Sequence, residues 1–399
     1  MHTVSRKLLQ VVLSRVRPLI YYVGAGGSDD NDGLTWATRW VTLAKVAAFT
    51  FAMNNRVLLD GTYNETLTLT AARHNGILLG KVGDGATIHG QDTRAYCIDA
   101  RGCNNLIFQD LTLQDPTNTG LILTGGTHTL SRIISDGSGD QAFQMGGGVT
   151  VSNVTVNSCE ATNAVDDGFS HHPASGVSTT LTINNTTISG CGEGYQDAGA
   201  FAATANFNGV TFSNNTRDIS NSTFVTLTTN RSMFKDMAAV GHVAIGGNGN
   251  YNYCILDMAD ATQSTQIGGG LINLNNVTVY GWSGATNRGG ITVNSTGIVN
   301  MNNVLADRMW RLGYITAGGA INADYCDIYN KTTGDLTTQT NIVGANGNPL
   351  LVDPANDDFH IQSTSPCRNS GKTYAGQLTT DYYGNAVASV PSVGAAEYV

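Results

Sequence analysis

From about residue 100 onward the chain repeats one phrase. A short run of β-branched and apolar residues alternates with polar ones, meets an Asn-Asn or Asn-Gly pair, and gives way to a glycine-rich turn. Segments 105–113, 149–156, 181–188, 205–212, 271–279 and 297–304 all read this way. Alternation of period two marks strands with one buried face. The anchors Phe108, Leu130, Val151, Ile183, Phe207, Leu227, Tyr253, Leu274, Met301 and Ala323 recur about every 24 residues, within the roughly 20–50 residue range of solenoids and propellers. A propeller blade needs ~40–45 residues, and the leucine-rich-repeat consensus is absent. About 24 residues hold three short strands, so the pattern predicts an all-β, single-stranded parallel β-helix of roughly ten or more coils. Asparagine tolerates left-handed backbone, which suits the paired asparagines to its bends.

The first twenty residues differ. Val4, Leu8, Val12 and Val16 fall at i, i+4 spacing, with Arg6, Lys7, Arg15 and Arg17 and no acid among them. This predicts an amphipathic helix that covers one end of the core. Gln10, Ser14 and Arg15 interrupt the apolar run, so no secretory signal peptide is visible. The organisation read from the chain is an N-terminal capping helix and lead-in over 1–45, the β-helix over 46–345, and a C-terminal capping tail over 346–399.

Composition narrows the reading. Of 399 residues, 13% are charged, 48 are Gly and 7 are Pro. A helical bundle needs long runs of Ala, Glu, Lys and Leu, which are missing. Low charge fits stacked coils, where like residues form ladders ~4.8 Å apart and like charges repel. The formal net charge is −9 and no basic stripe appears, which argues against nucleic acid as a partner. No apolar run reaches the ~18 residues of a membrane span. Seven scattered cysteines without a Cys-x-x-Cys pair suit neither a zinc site nor a disulfide framework.

Three flanking segments carry a resemblance. Tyr21–Leu43, with its Tyr-Tyr-Val opening and Gly-Ser-Asp-Asp-Asn-Asp-Gly core, is similar to the opening of the right-handed parallel β-helix superfamily of pectate lyase-like and tail-spike-like proteins. Asp357–Cys367 and Val393–Tyr398 resemble its closing segments. One departure is Arg368-Asn369, where the superfamily usually has Ile-Asp after the cysteine. The resemblance implies the fold. It leaves the chemistry open among lyases, hydrolases, epimerases and tail proteins.

Candidate chemistry comes from acids on consecutive coils. Asp140, Asp166-Asp167 and Asp197 each precede a phenylalanine, namely Phe143, Phe169 and Phe201. If those rings stack inside, alternation puts Asp140, Asp166 and His172 outward and Asp167, Asp197 and His171 inward, unless a turn intervenes. Adjacent coils hold carboxylates roughly 5 Å apart, and alternate coils roughly 10 Å. Glycosidases need about 5–5.5 Å for retention and about 6.5–9.5 Å for inversion. Crowded carboxylates also raise one another's pKa, which supplies a general acid near neutrality.

The catalytic candidates are therefore Asp166, Asp167, Asp140, Asp197 and His172. His171, Glu193, Arg132, Trp282 and Trp310 are the candidates for binding substrate. The interval from Val151 to Ile183 is the longest of the series, and its excess near 173–180 suits a loop walling a groove. No metal-ligand spacing stands out, so no cofactor is required, with Ca²⁺ a candidate for a lyase. The reading is a polysaccharide depolymerase, a glycoside hydrolase or a polysaccharide lyase, with hydrolysis favoured over β-elimination. Its rival is a non-catalytic virus tail fibre, spike or structural glycan-binding protein. An extracellular or virion-associated setting fits both, and a homotrimer is implied by the resemblance alone.

Overall fold

The computed structural model describes residues 17–146, 152–172, 179–197, 201–221, 225–235, 243–245, 248–258, 265–267, 270–281, 291–293, 296–308, 313–315, 318–329 and 336–398. Over these residues the chain is a parallel β-solenoid. A 22-stranded sheet and an 11-stranded sheet run along it. Each central coil gives two strands to the first sheet and one to the second. One such coil is Ser152–Asn157, Glu160–Thr162 and Asp167–His172, and the next is Thr179–Asn184, Thr187–Ser189 and Glu193–Asp197. Each strand pairs in parallel with its counterpart one coil on.

The corner between the two strands of the larger sheet explains the Asn-Asn phrase. Its first asparagine hydrogen-bonds along the stack, Asn184 to Asn157 (2.9 Å), Asn208 to Asn184 (2.9 Å) and onward to Asn302 bonding Asn275 (3.0 Å). Its second position is left-handed, as at Asn185 (φ 49°), Asn276 (φ 50°) and Asn303 (φ 54°). A short polar side chain occupies that region at least cost. Two residues after the first asparagine, the Cys159, Thr186, Ser232 and Cys254 side chains donate back to its carbonyl. Cys159 and Cys254, like Cys191 and Cys326, therefore serve as small buried donors at corners, and all seven cysteines are free.

The interior is a column of apolar side chains from Tyr21 to Ile328. At its N-terminal end Tyr21, Trp40, Phe49 and Phe51 pack edge and face, beside the short helix Leu43–Ala48, which Thr42 caps. The helix expected over 1–20 falls mostly outside the described residues. Its last positions, 17–19, are irregular, and Ile20 opens a strand. The C-terminal segment returns along the late coils. Phe359 packs on Tyr280, Asn276 bonds the Ser392 carbonyl (2.8 Å), and Lys235 meets Asp357 (2.6 Å). Under it the short strands are buried on both faces, so Thr278–Tyr280 and Leu305–Asp307 lose the alternation seen at Thr187–Ser189. Among the described residues no helix is long and apolar enough to cross a membrane.

Candidate functional site

The 11-stranded sheet carries the acids. Phe143, Phe169 and Tyr195 share one register position on successive coils. Phe143 and Phe169 stack at 4.7 Å, and the Tyr195 hydroxyl lies 3.2 Å from His171 Nδ1. This buried column fixes the strand parity. Phe201 was expected to be its third ring, but it is 40% exposed. The repeating spacing is an acid two residues before an aromatic, Asp167 before Phe169 and Glu193 before Tyr195, and Phe201 lies past the strand's end.

The turn before these strands stacks as tightly as the strands do. The Asp166 amide donates to the Asp140 carbonyl (3.0 Å), and the Glu193 amide donates to the Asp166 carbonyl (2.7 Å). Gly168 permits this approach. A Cβ there would sit 2.5 Å from Ile188 Cγ2 and 2.7 Å from the Gly194 carbonyl oxygen. Two short columns result. Asp140 stands beside Asp166, and Asp167 is in register with Glu193 and then Arg217.

Asp166 is exposed and Asp140 half-buried. Their carboxyls are neighbours across one coil step. Burial first, then the Asp166 charge, raises the Asp140 pKa, against which Gln141 and His172 act. Asp167 is fully buried, and neither of its carboxylate oxygens has a hydrogen-bond partner. Burial pushes its pKa up to about 7, helped by the charges of Asp166, Glu193 and Asp140 and opposed by the Ser170 hydroxyl. Desolvation of a charged carboxylate is the dominant cause. Glu193 is tied to Arg217, Oε1 to Nη1 at 2.6 Å, and its other oxygen accepts from Gln196 (3.2 Å).

His172 points outward beside Ser170 (Nε2 to Oγ, 2.9 Å). Burial lowers its pKa more than Asp197 and Asp140 raise it. His171 is interior, and burial with the neighbouring His172 charge pushes its pKa down to about 4. Asp197 is buried at the strand end, in register with His171.

The structure thus brings together Asp140, Asp166, Asp167, Glu193 and His172, with His171 and Asp197 in the layer behind. It does not bring Arg132 to them. Arg132 occupies a left-handed corner between the strands of the larger sheet (φ 52°) and grips Asp110 of the preceding coil. Trp282 and Trp310 lie outside the described residues, as do 173–178, the core of the expected loop. Sequence reasoning missed Arg217 and Ser170. The coil period points to Arg217, which follows Glu193 by 24 residues. Among the described residues no three His, Cys, Asp or Glu side chains converge to hold a metal ion.

Two solved structures share this architecture along nearly their whole length. Pectate lyase Pel9A matches with a TM-score of 0.56 at 14% identity, over 97% of this chain and 98% of its own. XylC, solved in complex with xylose, matches at 0.52 and 10%, over 96% and 98%. No protein-family model and no curated protein sequence matches the chain. These identities establish a common fold and nothing finer: a parallel β-solenoid that this chain shares with both structures.

Proposed function

We propose that the protein is a polysaccharide-cleaving glycoside hydrolase whose chemistry runs on the acid row. One observation carries the reading: the Asp140–Asp166 carboxyl pair, backed by the buried, unpartnered Asp167. A carboxyl that is partly buried and crowded by a like charge keeps its proton to higher pH. Asp140, the member so raised, gives its proton to the glycosidic oxygen as the bond breaks. Asp167 beneath, pushed up to about 7, is protonated below that pH and adds less repulsion there. Glu193 is ion-paired with Arg217, two coils from Asp140. That places it roughly 10 Å away, just past the upper end of the ~6.5–9.5 Å used by inverting enzymes. It is the base that draws a proton from the attacking water. His172, held by buried Ser170, faces the same side and positions the sugar.

Both structural neighbours bear on the substrate. One is a pectate lyase and the other was solved with xylose bound, which supports a carbohydrate as the ligand class. Work on a polymer suits an extracellular or virion-borne protein. The test is a reducing-end assay on a panel of polysaccharides, read together with ultraviolet absorbance. New reducing ends without the absorbance of an unsaturated uronate are expected, with Asp140→Asn and Asp166→Asn each losing about 10²–10⁴-fold in rate. Absorbing products mean β-elimination and refute hydrolysis. Binding without products from any polymer refutes catalysis and leaves a glycan-binding fibre or spike.

A further inference from the structure

We propose that this site accepts uncharged glycan segments and rejects uronates, and that Glu193 sets the selectivity by occupying Arg217. The inference rests on the acid row being the glycan site, and it adds the substrate's charge class. A uronate polymer brings a carboxylate on each acidic sugar. To be held, that carboxylate needs a guanidinium, an ammonium or a bound cation. From residue 140 to 224 the sequence holds seven Asp or Glu and one basic side chain of the Lys or Arg type, Arg217. The segments that follow the site strands, 147–151, 173–178, 198–200 and 222–224, contain no ionisable residue.

Arg217 is already engaged. Its Nη1 donates to Glu193 Oε1 (2.6 Å) and to Ser220 Oγ (3.3 Å), while its Nε is buried without a partner. One donor of that guanidinium is unused, but its charge is cancelled by Glu193. The surface a sugar meets is then the Asp140–Asp166 pair. Asp167 lies beneath it, fully buried, and both its oxygens lack partners. A neutral sugar can supply hydroxyl donors to the Asp140 and Asp166 oxygens, whereas a uronate adds like charge in a partly desolvated place. Desolvated like charges repel far more than they do in water, so the discrimination is against the acidic sugar.

Affinity electrophoresis of the full chain tests this. Gels contain either a neutral polysaccharide or a uronate polysaccharide, at low and high salt. Retardation by at least one neutral polymer is expected, with apparent affinity at least about tenfold above that for any uronate polymer. Added salt should narrow the gap by screening. Glu193→Gln removes one charge and frees Arg217, and should cut the preference by about tenfold. Glu193→Asp keeps the charge and should retain the preference, which separates charge from misfolding. Equal or tighter uronate binding by the natural chain overturns the inference, as does a lack of retardation by every neutral polymer. The readout is binding. A chain that prefers neutral glycans yet cleaves none sinks the hydrolase reading and leaves this inference standing.

Discussion

Asp167 offers a prediction whose size can be worked from the structure. Its carboxyl is completely buried, has no hydrogen-bond partner, and titrates at about 7 rather than near 3.8. The fold therefore favours the protonated form. Its contribution to stability is fully present below about pH 3.8, falls as pH rises, and is lost above about pH 7. A shift of this size corresponds to roughly 4 kcal/mol across that window. Asp167→Asn replaces the acid with a neutral group of the same shape that cannot ionise. The buried amide brings its own unpaired atoms, so the two proteins need not match at any one pH. The informative quantity is the difference in slope. Urea unfolding of both proteins from about pH 4 to about pH 8 should show the natural chain losing on the order of 4 kcal/mol relative to the variant. Asp327, also pushed up by burial, titrates alike in both and cancels in the comparison. Parallel stability curves would refute the protonated, buried acid, and with it the electrostatic account of the site.

Two further outcomes follow from the surroundings. Arg132→Ala removes the grip on Asp110 at a corner away from the acid row, so the cleavage rate in the reducing-end assay should be unchanged. A loss beyond about threefold would bring Arg132 back into the site. Asn230→Ala deletes two rungs of the amide ladder, to Asn208 and from Asn252, and should cost about 1–3 kcal/mol in urea unfolding with cleavage by the folded protein retained.

The architecture was legible because a stacked fold repeats its rules. Of the anchors read from spacing, Phe108, Leu130, Ile183, Phe207, Leu274, Met301 and Ala323 occupy one register ladder. The other three do not. Val151 lies outside the described residues, and Val156 takes the rung. Thr229 takes the rung expected for Leu227. Tyr253 sits on the left-handed corner (φ 52°), and Tyr251 packs inside instead. Both slips are by two residues, the strand's own period, so parity alone could not detect them. At the site the same parity separated exposed Asp166 from buried Asp167, and His172 from His171. It could not foresee Phe201 outside, because the strand ends at Asp197. Nor could it foresee Arg132 at a corner, because local spacing does not say which corner of a coil a residue occupies.

The acid row departs from the rule that the rest of the solenoid obeys. Outward ladders elsewhere stack Asn on Asn, and each amide both donates and accepts, so stacking adds bonds without adding charge. Stacked Asp140 and Asp166 gain no such bonds and repel, and buried Asp167 is left unsatisfied. Residues chosen for stacking alone would be Asn or Thr at all three. Three features hold the unfavourable arrangement in place: the Phe143–Phe169 stack beneath it, the close approach at Gly168, and the amide bonds that join Asp140, Asp166 and Glu193 along the turn. Each acts on the backbone or the core and none neutralises the carboxyls. The scaffold thus fixes the positions of the acids and leaves their charge state to be set by one another and by what binds. A merely solvated surface would show the reverse, with acids paired to cations or spread apart. Within a chain in which charged residues are only 13%, that concentration of unpaired acid on adjoining coils is the strongest physical argument for chemistry at this face.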